Sequence, residues 1–444
     1  MIDQMFIPRL SQYDPVVSSE GTLDPLGLFP ISDKLALLLF PGLRERMSHP
    51  RFLTLIALGT VICSDFDDDV VASDGVTEPW QIFEWYVVQS LVTTFRKEDP
   101  TQLRGLPGVE KVTSAITNNI PLNRANYLKL PTVFGFTGVY RTLAKELKLI
   151  EGNRLGEFGD ELVRAWEQEE NQYGFYANPE GPGKELRKKL FDAIKDSLEN
   201  AVVKRNTNWT GFYNLGQHIA PYKLNKKEEE IIYKAVLGKR EQLSREIIKF
   251  YETKDAAGLW YKVKSEKQLQ MALRKVASPK LKEILDLIML YEEFARKLQD
   301  AFDIILFLMT GNNGLSVKDL TKHSEFGKLL RDTHLLYDQT YQKLEQHGIA
   351  GDFEKRFSSF SLKYTVEEAI LNLLKHHEIT QKNKPPHGKK AWYSRSEDGR
   401  LYIEAATRKD ERPELTDEYV HYYRTRPIYS FLRDLGKVRG ANGD

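Results

Sequence analysis

Basic and aromatic side chains cluster around residue 390, in a combination that could bind phosphate and stack on bases. From Lys375 to Arg395 the sequence has six Lys or Arg residues and one acidic residue. Basic side chains supply phosphate affinity that does not depend on base sequence, and planar rings can stack on nucleobases. We therefore predict a nucleic-acid contact made by Lys382, Lys384, Lys389, Lys390, Trp392 and Arg395.

The same residues allow two other interpretations. Charged runs are also typical of a solvated loop beside an ordinary hairpin with Trp392 in the core, or of a protein-binding surface. In the tail, Arg424 and Arg426 lie among tyrosines and could extend the basic surface. The simpler prediction for the tail is a terminal helix, opened by Pro427, that packs on the C-terminal unit.

An acidic run is the main candidate for metal chemistry that the sequence offers; His376, His377 and His387 are a second one, but no other ligands stand at fixed spacing from them. Its carboxylates could hold Mg²⁺ or Ca²⁺, although the run lacks the ligand spacing of a calcium-binding EF-hand loop. An exposed acidic loop is the favoured interpretation, and a metal-dependent nuclease is the least favoured alternative. The residues concerned are Asp65, Asp67, Asp68 and Asp69.

Motifs of the common enzyme classes are absent from the sequence. There is no Walker A loop, no G-x-G-x-x-G, no H-E-x-x-H and no G-x-S-x-G. Cys63 is the only cysteine, which excludes an intramolecular disulfide and a cysteine-based zinc site. We predict no catalytic residue, no metal and no cofactor, and hence a protein that acts by binding.

The elements that must position the basic cluster can be predicted in order. Thr365 and Glu368 form a capping box before an apolar 3–4 pattern, which predicts a helix ending near His376 and His377. A basic, proline-broken loop follows. Aromatic and β-branched runs on both sides of Asp398-Gly399 then predict a hairpin. Helix, loop and hairpin follow one another as in a winged helix.

A second helix–turn–helix pattern occupies residues 137–166. The phrases L-I-E-G-N-R-L and E-F-G-D-E-L-V-R-A-W follow a predicted helix. This order resembles the end of a winged-helix module in bacterial regulators, where a short strand leads into a closing helix. An unrelated helical hairpin is the alternative.

Length and composition predict a mainly α, multi-domain protein with small β-hairpins. Its 444 residues suffice for two or three domains, and the net charge of +1 requires any nucleic-acid site to be a local patch. We predict winged-helix-like units that flank a helical-bundle middle. The predicted regions are a helical N-terminal region (1–130), a winged-helix-like unit (131–170), a helical bundle (184–350) and a C-terminal winged-helix-like unit (360–436).

The longest apolar runs, Phe52–Cys63 and Ile304–Met309, are too short to span a bilayer, and the first residues do not resemble a signal peptide. We therefore expect a cytoplasmic protein with no membrane contact.

The chain as a whole resembles the winged-helix-containing accessory proteins found beside helicases or ATPases in bacterial genome-defence clusters. The resemblance implies DNA and other protein subunits, such as a helicase or ATPase, as partners, and it assigns no residue. We predict a non-enzymatic DNA-binding or adaptor subunit of a prokaryotic multi-protein complex. The alternative is a purely structural assembly subunit.

Overall fold

The computed structural model describes residues 24–128, 131–238, 242–262, 265–312, 314–384 and 387–438, with the backbone alone at 132, 133, 261 and 262. The chain is mainly helical, as predicted. It separates into two compact units, each assembled from separated stretches of sequence. Unit one contains residues 42–257 and 424–438, and unit two contains residues 24–41 and 258–423. The sequence predicted consecutive regions instead, the first of which begins with residues outside the described ranges.

Helices and two antiparallel hairpins make up the described structure. In chain order they are α1 (Phe29–Leu39), α2 (Phe52–Cys63), α3 (Pro79–Phe95), α4 (Val109–Thr117), α5 (Pro131–Phe134), α6 (Phe136–Glu146), β1 (Ile150–Glu151), β2 (Arg154–Leu155), α7 (Glu157–Glu169), α8 (Pro182–Leu198), α9 (Thr210–His218), α10 (Lys226–Ile232), α11 (Gln242–Tyr251), α12 (Lys254–Lys262), α13 (Glu266–Val276), α14 (Pro279–Thr310), α15 (Val317–Thr321), α16 (Glu325–Leu330), α17 (Thr333–Glu345), α18 (Ala350–Phe357), α19 (Val366–Lys382), β3 (Tyr393–Arg395), β4 (Leu401–Ile403) and α20 (Thr425–Asp434). No helix within the described ranges combines the length and apolar character needed to cross a bilayer.

Unit one is built around the apolar helices α2 and α3. Helices α6 and α7 pack on α2, and α9 packs on α3. Glu84 of α3 is fully buried and accepts hydrogen bonds from the Tyr127 hydroxyl and from the backbone N–H of Thr137. Because Thr137 lies in the first turn of α6, the carboxyl group satisfies a backbone donor that the helix itself leaves unpaired.

A buried ionic network closes the start of α2. The Arg51 guanidinium donates to Glu228 at 3.0 Å, to Glu170 at 2.6 Å and to the carbonyl of Ala220 at 2.9 Å. Arg51 is 1% exposed and Glu228 is fully buried. A buried charge of this kind is tolerated because its partners satisfy it. The network therefore links α2 to the end of α7 and to the start of α10.

Unit two is built around the long helix α14. Ser278 caps this helix by accepting the N–H of Leu281, and Pro279 begins it, as is common at a first helical position. Its apolar stripe packs against α1, α16 and α17. The stretch predicted as one bundle is divided, since residues up to 257 belong to unit one and later residues to unit two.

The C-terminal helix α20 packs within unit one, whereas the sequence predicted that it would pack on the C-terminal unit. The Ser430 hydroxyl donates to the carbonyl of Ser48, and Asp434 lies 2.7 Å from Nδ1 of His49. Phe431 stacks on Tyr140 with parallel rings, 6.3 Å between centroids. The sequence predicted a terminal helix, but the partners of this helix lie about 290 to 385 residues earlier in the chain.

Candidate nucleic-acid interface

The candidate site is the solvent-exposed end of α19 together with the β3–β4 hairpin. Thr365 and Glu368 form the predicted capping box, with the Glu368 carboxylate accepting the Thr365 N–H at 2.8 Å. The helix continues to Lys382, beyond the end predicted near His376 and His377. Both histidines are buried within unit two and bind its backbone, so they lie in the helix instead of ending it.

The buried histidines fix the position of the hairpin. The Nδ1 proton of His377 is donated to the carbonyl of Pro25 at 2.8 Å, and Nε2 accepts the backbone N–H of Trp392 at 3.0 Å. Burial lowers the pKa of His377 to about 4, which keeps the ring neutral near pH 7. His376 donates to the carbonyl of Leu26, and burial lowers its pKa as well. Both rings therefore have structural roles.

The loop after α19 folds back onto the last turn of the helix. Gly388 donates its N–H to the carbonyl of Lys384 at 2.7 Å, and Lys389 donates to that of Gln381 at 2.8 Å. The bond to Gln381 ends on a carbonyl group of the last helical turn, where the helix itself supplies no further partner. The two bonds also hold Lys389 beside the turn that carries Lys382. Cations are favourable at this end of a helix even without a ligand, because the helix dipole is negative there.

The predicted basic residues are exposed, with two exceptions. Lys382, Lys389, Lys390 and Arg395 are exposed, and Arg395 lies 3.9 Å from Glu378. Lys384 is 8% exposed, and its ammonium group donates to the carbonyl of Asp24 at 2.7 Å. Burial lowers the pKa of Lys384 to about 8. Its position does not fit the phosphate contact expected from the sequence.

Arg424 is the second exception. It is 3% exposed and belongs to unit one, whereas the α19 hairpin belongs to unit two. Arg426 is exposed in unit one and lies 4.0 Å from Glu45. The two tail arginines therefore do not share a unit with the other predicted residues.

Trp392 packs mainly within unit two. Its ring is half-buried, 6.0 Å from the ring of Phe302 and 5.6 Å from that of His377. Base stacking is therefore restricted to the exposed part of the indole. Trp392 is thus neither a fully exposed stacking residue, as predicted, nor a fully buried core residue, as in the alternative interpretation.

The hairpin itself forms as predicted around Asp398-Gly399. Strands β3 and β4 pair in antiparallel register, with Tyr393 opposite Ile403, and Gly399 has a φ of +80°. Leu401 also pairs with Leu315 through reciprocal backbone bonds of 2.8 and 3.1 Å. The sequence did not predict this third segment, because a single bridging residue before α15 shows no alternation of apolar and polar residues.

The predicted unit at 131–170 contains the two expected helices, and a short β1–β2 hairpin forms where a turn and a short strand were expected. A Cβ on Gly159 would lie 2.0 Å from the carbonyl oxygen of Leu149, which explains the glycine in the first turn of α7. The exposed charges here are of both signs and include Lys145, Glu146, Lys148 and Arg154. This region is therefore the weaker nucleic-acid candidate.

The acidic run does not converge on a metal site. Asp65 binds the guanidinium of Arg187 at 2.7 Å, and Asp68 accepts the side-chain amide of Asn153 at 2.9 Å. Among the residues that the structure describes, no group of three or more His, Cys, Asp or Glu side chains is placed to hold a metal ion.

Comparisons of the chain with protein-family models, with curated proteins and with solved structures find no match.

Proposed function

We propose that this protein is a DNA-binding or adaptor subunit that contacts the phosphate backbone through the exposed end of α19 and its hairpin. The observation that carries the proposal is the exposure of Lys382, Lys389, Lys390 and Arg395 on one helix–loop–hairpin element. Each lysine offers an ammonium group that can replace a condensed counterion on DNA.

The framework beneath these cations supports a binding role. Backbone bonds from the loop to the helix and from Trp392 to His377 restrict the element before any ligand arrives. Preorganisation of this kind lowers the entropy cost of binding. The third backbone segment at Leu315 makes the arrangement resemble the three-stranded wing of a winged helix more closely than the hairpin alone does.

The cellular role is part of the same proposal. The resemblance to genome-defence accessory proteins supports a prokaryotic complex in which this chain brings DNA to a helicase or ATPase partner. A net charge of only +1 fits a local DNA contact within a larger assembly better than general coating of DNA.

Fluorescence anisotropy with labelled single- and double-stranded DNA across a salt series tests the proposal. We expect salt-sensitive binding, and we expect the triple variant Lys382→Ala, Lys389→Ala and Lys390→Ala to weaken it for every DNA sequence. The slope of log affinity against log salt should fall in magnitude by about 1 for each lysine that contacts phosphate.

A matched control removes the same charge from elsewhere in unit two. Lys275, Lys280 and Lys328 are exposed and lie outside the helix–loop–hairpin element. The triple alanine variant of these lysines should retain the affinity and the salt slope of the native protein. Equal losses in the two triple variants would reject the assigned surface and leave only a general charge effect.

A structural assembly subunit is the second candidate. Leu371 and Ile379, eight residues apart on α19, are 38% and 49% exposed, and the preceding Leu362 is 59% exposed. Exposed apolar side chains at helical spacing favour a protein contact. A tight oligomer in light scattering, with no DNA binding even at low salt, would favour assembly over the DNA proposal.

A further inference from the structure

A cavity in unit one lies between α2, α3, α6 and the acidic loop. Its volume is about 80 Å³. The wall is largely apolar and includes Leu55, Ile56, Phe66, Trp80 and Phe83. Small-molecule sites in proteins typically combine such a wall with a few polar groups that fix orientation.

Arg141 is the cation of this cavity. It lines the wall from α6, and its Nε atom is buried without a hydrogen-bond partner. No carboxylate oxygen of the described residues lies within 4.0 Å of its guanidinium nitrogens. Burial lowers the pKa of Arg141, and the Glu78 carboxylate opposes this shift. The guanidinium that lines the cavity thus lacks a carboxylate partner among the described residues, and its terminal nitrogens can pair with an anion that enters the cavity.

The remaining polar groups restrict which anion would fit. Asp67, Asp68 and Glu78 also line the cavity, and Glu78 already accepts the indole N–H of Trp80 at 2.9 Å. These carboxylates would repel a dianion such as phosphate more strongly than a monoanion. The Cys63 thiol lies in the same wall, and burial raises its pKa to about 12, so it adds no negative charge near pH 7.

We propose that this cavity binds a small organic monoanion whose carboxylate pairs with Arg141 and whose apolar body lies between the aromatic side chains of Phe66 and Phe83. The cavity has room for roughly five to eight water-sized positions, which suits a short branched carboxylate. Such a ligand would join a planar guanidinium to a planar carboxylate, the geometry that Arg recognises best.

The single cysteine in the sequence allows a direct test on the intact chain. Because Cys63 is the only cysteine, labelling with ¹³Cβ-cysteine gives one NMR signal that reports on the cavity wall. Isobutyrate and isovalerate should shift this signal in a saturable manner. Isoamyl alcohol and isoamylamine, which lack the carboxylate, should not. Shifts that are equal for all four probes would show general apolar binding and overturn the proposal.

Variants of Arg141 separate binding from folding. Arg141→Gln should weaken isovalerate binding at least tenfold. Arg141→Lys keeps the charge but loses the planar fork, so its affinity for isovalerate should lie between those of the native protein and of Arg141→Gln. Arg124→Gln is the matched control, since Arg124 is exposed in unit one and does not line the cavity. The NMR signal of Cys63 without ligand shows whether each variant is folded, because a folded variant should keep the chemical shift of the native protein. Unchanged affinity in a folded Arg141→Gln protein would reject the site, as would absence of any saturable shift in the native protein.

Discussion

Tyr127 donates its phenolic proton to Oε1 of Glu84 over 3.0 Å, and both side chains are buried in unit one. Burial raises the pKa of Glu84 from 4.5 to about 7, even though the bonds from Thr137 and Tyr127 oppose the shift. Between these two pH values the folded protein retains a proton that the unfolded chain has lost. Unfolding is therefore linked to proton release, and the free energy of unfolding must fall as pH rises through this window.

We predict that Glu84→Gln flattens this part of the pH profile. In the native protein this shift corresponds to a loss of about 3 kcal/mol in the free energy of unfolding between pH 4.5 and pH 7. Denaturant unfolding followed by tryptophan fluorescence at several pH values measures it. Glu110→Gln, at an exposed position of the same unit, should retain the native pH dependence. Identical slopes in the Glu84→Gln variant and the native protein would show that Glu84 does not titrate in this range.

The buried position of Lys384 predicts a separation of stability from DNA binding. Lys384→Met keeps most of the side-chain volume but leaves the carbonyl of Asp24 without its donor. We expect a loss of about 1–3 kcal/mol in the stability of unit two. DNA affinity in the anisotropy assay should remain within about twofold of the native value, because this ammonium group is bound to the carbonyl of Asp24 and the side chain is largely buried. A loss of affinity as large as that of Lys389→Ala would contradict this assignment.

The Arg51 network predicts a large single-site effect and a partial rescue. Arg51→Met removes the partner of the buried Glu228 carboxylate, and we expect it to cost about 3–5 kcal/mol of stability. Adding Glu228→Gln removes the stranded charge and should recover part of the loss. A double-mutant cycle on thermal or urea unfolding measures the coupling. Purely additive effects would mean that the two side chains are independent.

Gly159 provides a test of backbone packing. Alanine normally stabilises a helix relative to glycine by about 0.5–1 kcal/mol. In α7 the added methyl group would collide with the carbonyl of Leu149, so Gly159→Ala should lower the melting temperature. Gly327→Ala in α16 meets only the end of the Arg331 side chain at 3.9 Å and should raise it slightly. Circular dichroism melting curves compare the two variants.

Local patterns in the sequence were sufficient to predict most of the helices. The apolar run Phe52–Cys63 coincides with helix α2, and the capping box predicted at Thr365 and Glu368 begins α19. Helix α10 ends at Ile232, where a π-helical turn follows over Tyr233–Gly238. The spacing of apolar residues identifies which helix face is buried. Tertiary packing decides whether the backbone hydrogen bonds change locally from the α-helical to the π-helical pattern.

Long-range relationships were the part that could not be predicted. The capping box of α19 and the Asp398-Gly399 hairpin depend on neighbours in the chain, and both formed. The burial of Lys384 depends on Asp24, and the packing of α20 on Tyr140, at separations that no local pattern encodes. A lysine in a basic run looks the same in sequence whether it faces solvent or a distant carbonyl group. Arg141 likewise looks in sequence like any other helix arginine, so its position in the cavity wall could not be predicted.

The interleaved composition of the two units has a consequence for biosynthesis. Unit two requires residues 24–41 as well as 258–423, and unit one requires residues 424–438 in addition to 42–257. A nascent chain that leaves the ribosome would therefore hold helix α1 without its partners until α14 has been translated. Neither unit can be complete before translation has passed residue 423. Both units should therefore acquire their final stability only at the end of synthesis. Domains built from consecutive residues, by contrast, can fold one after another during translation.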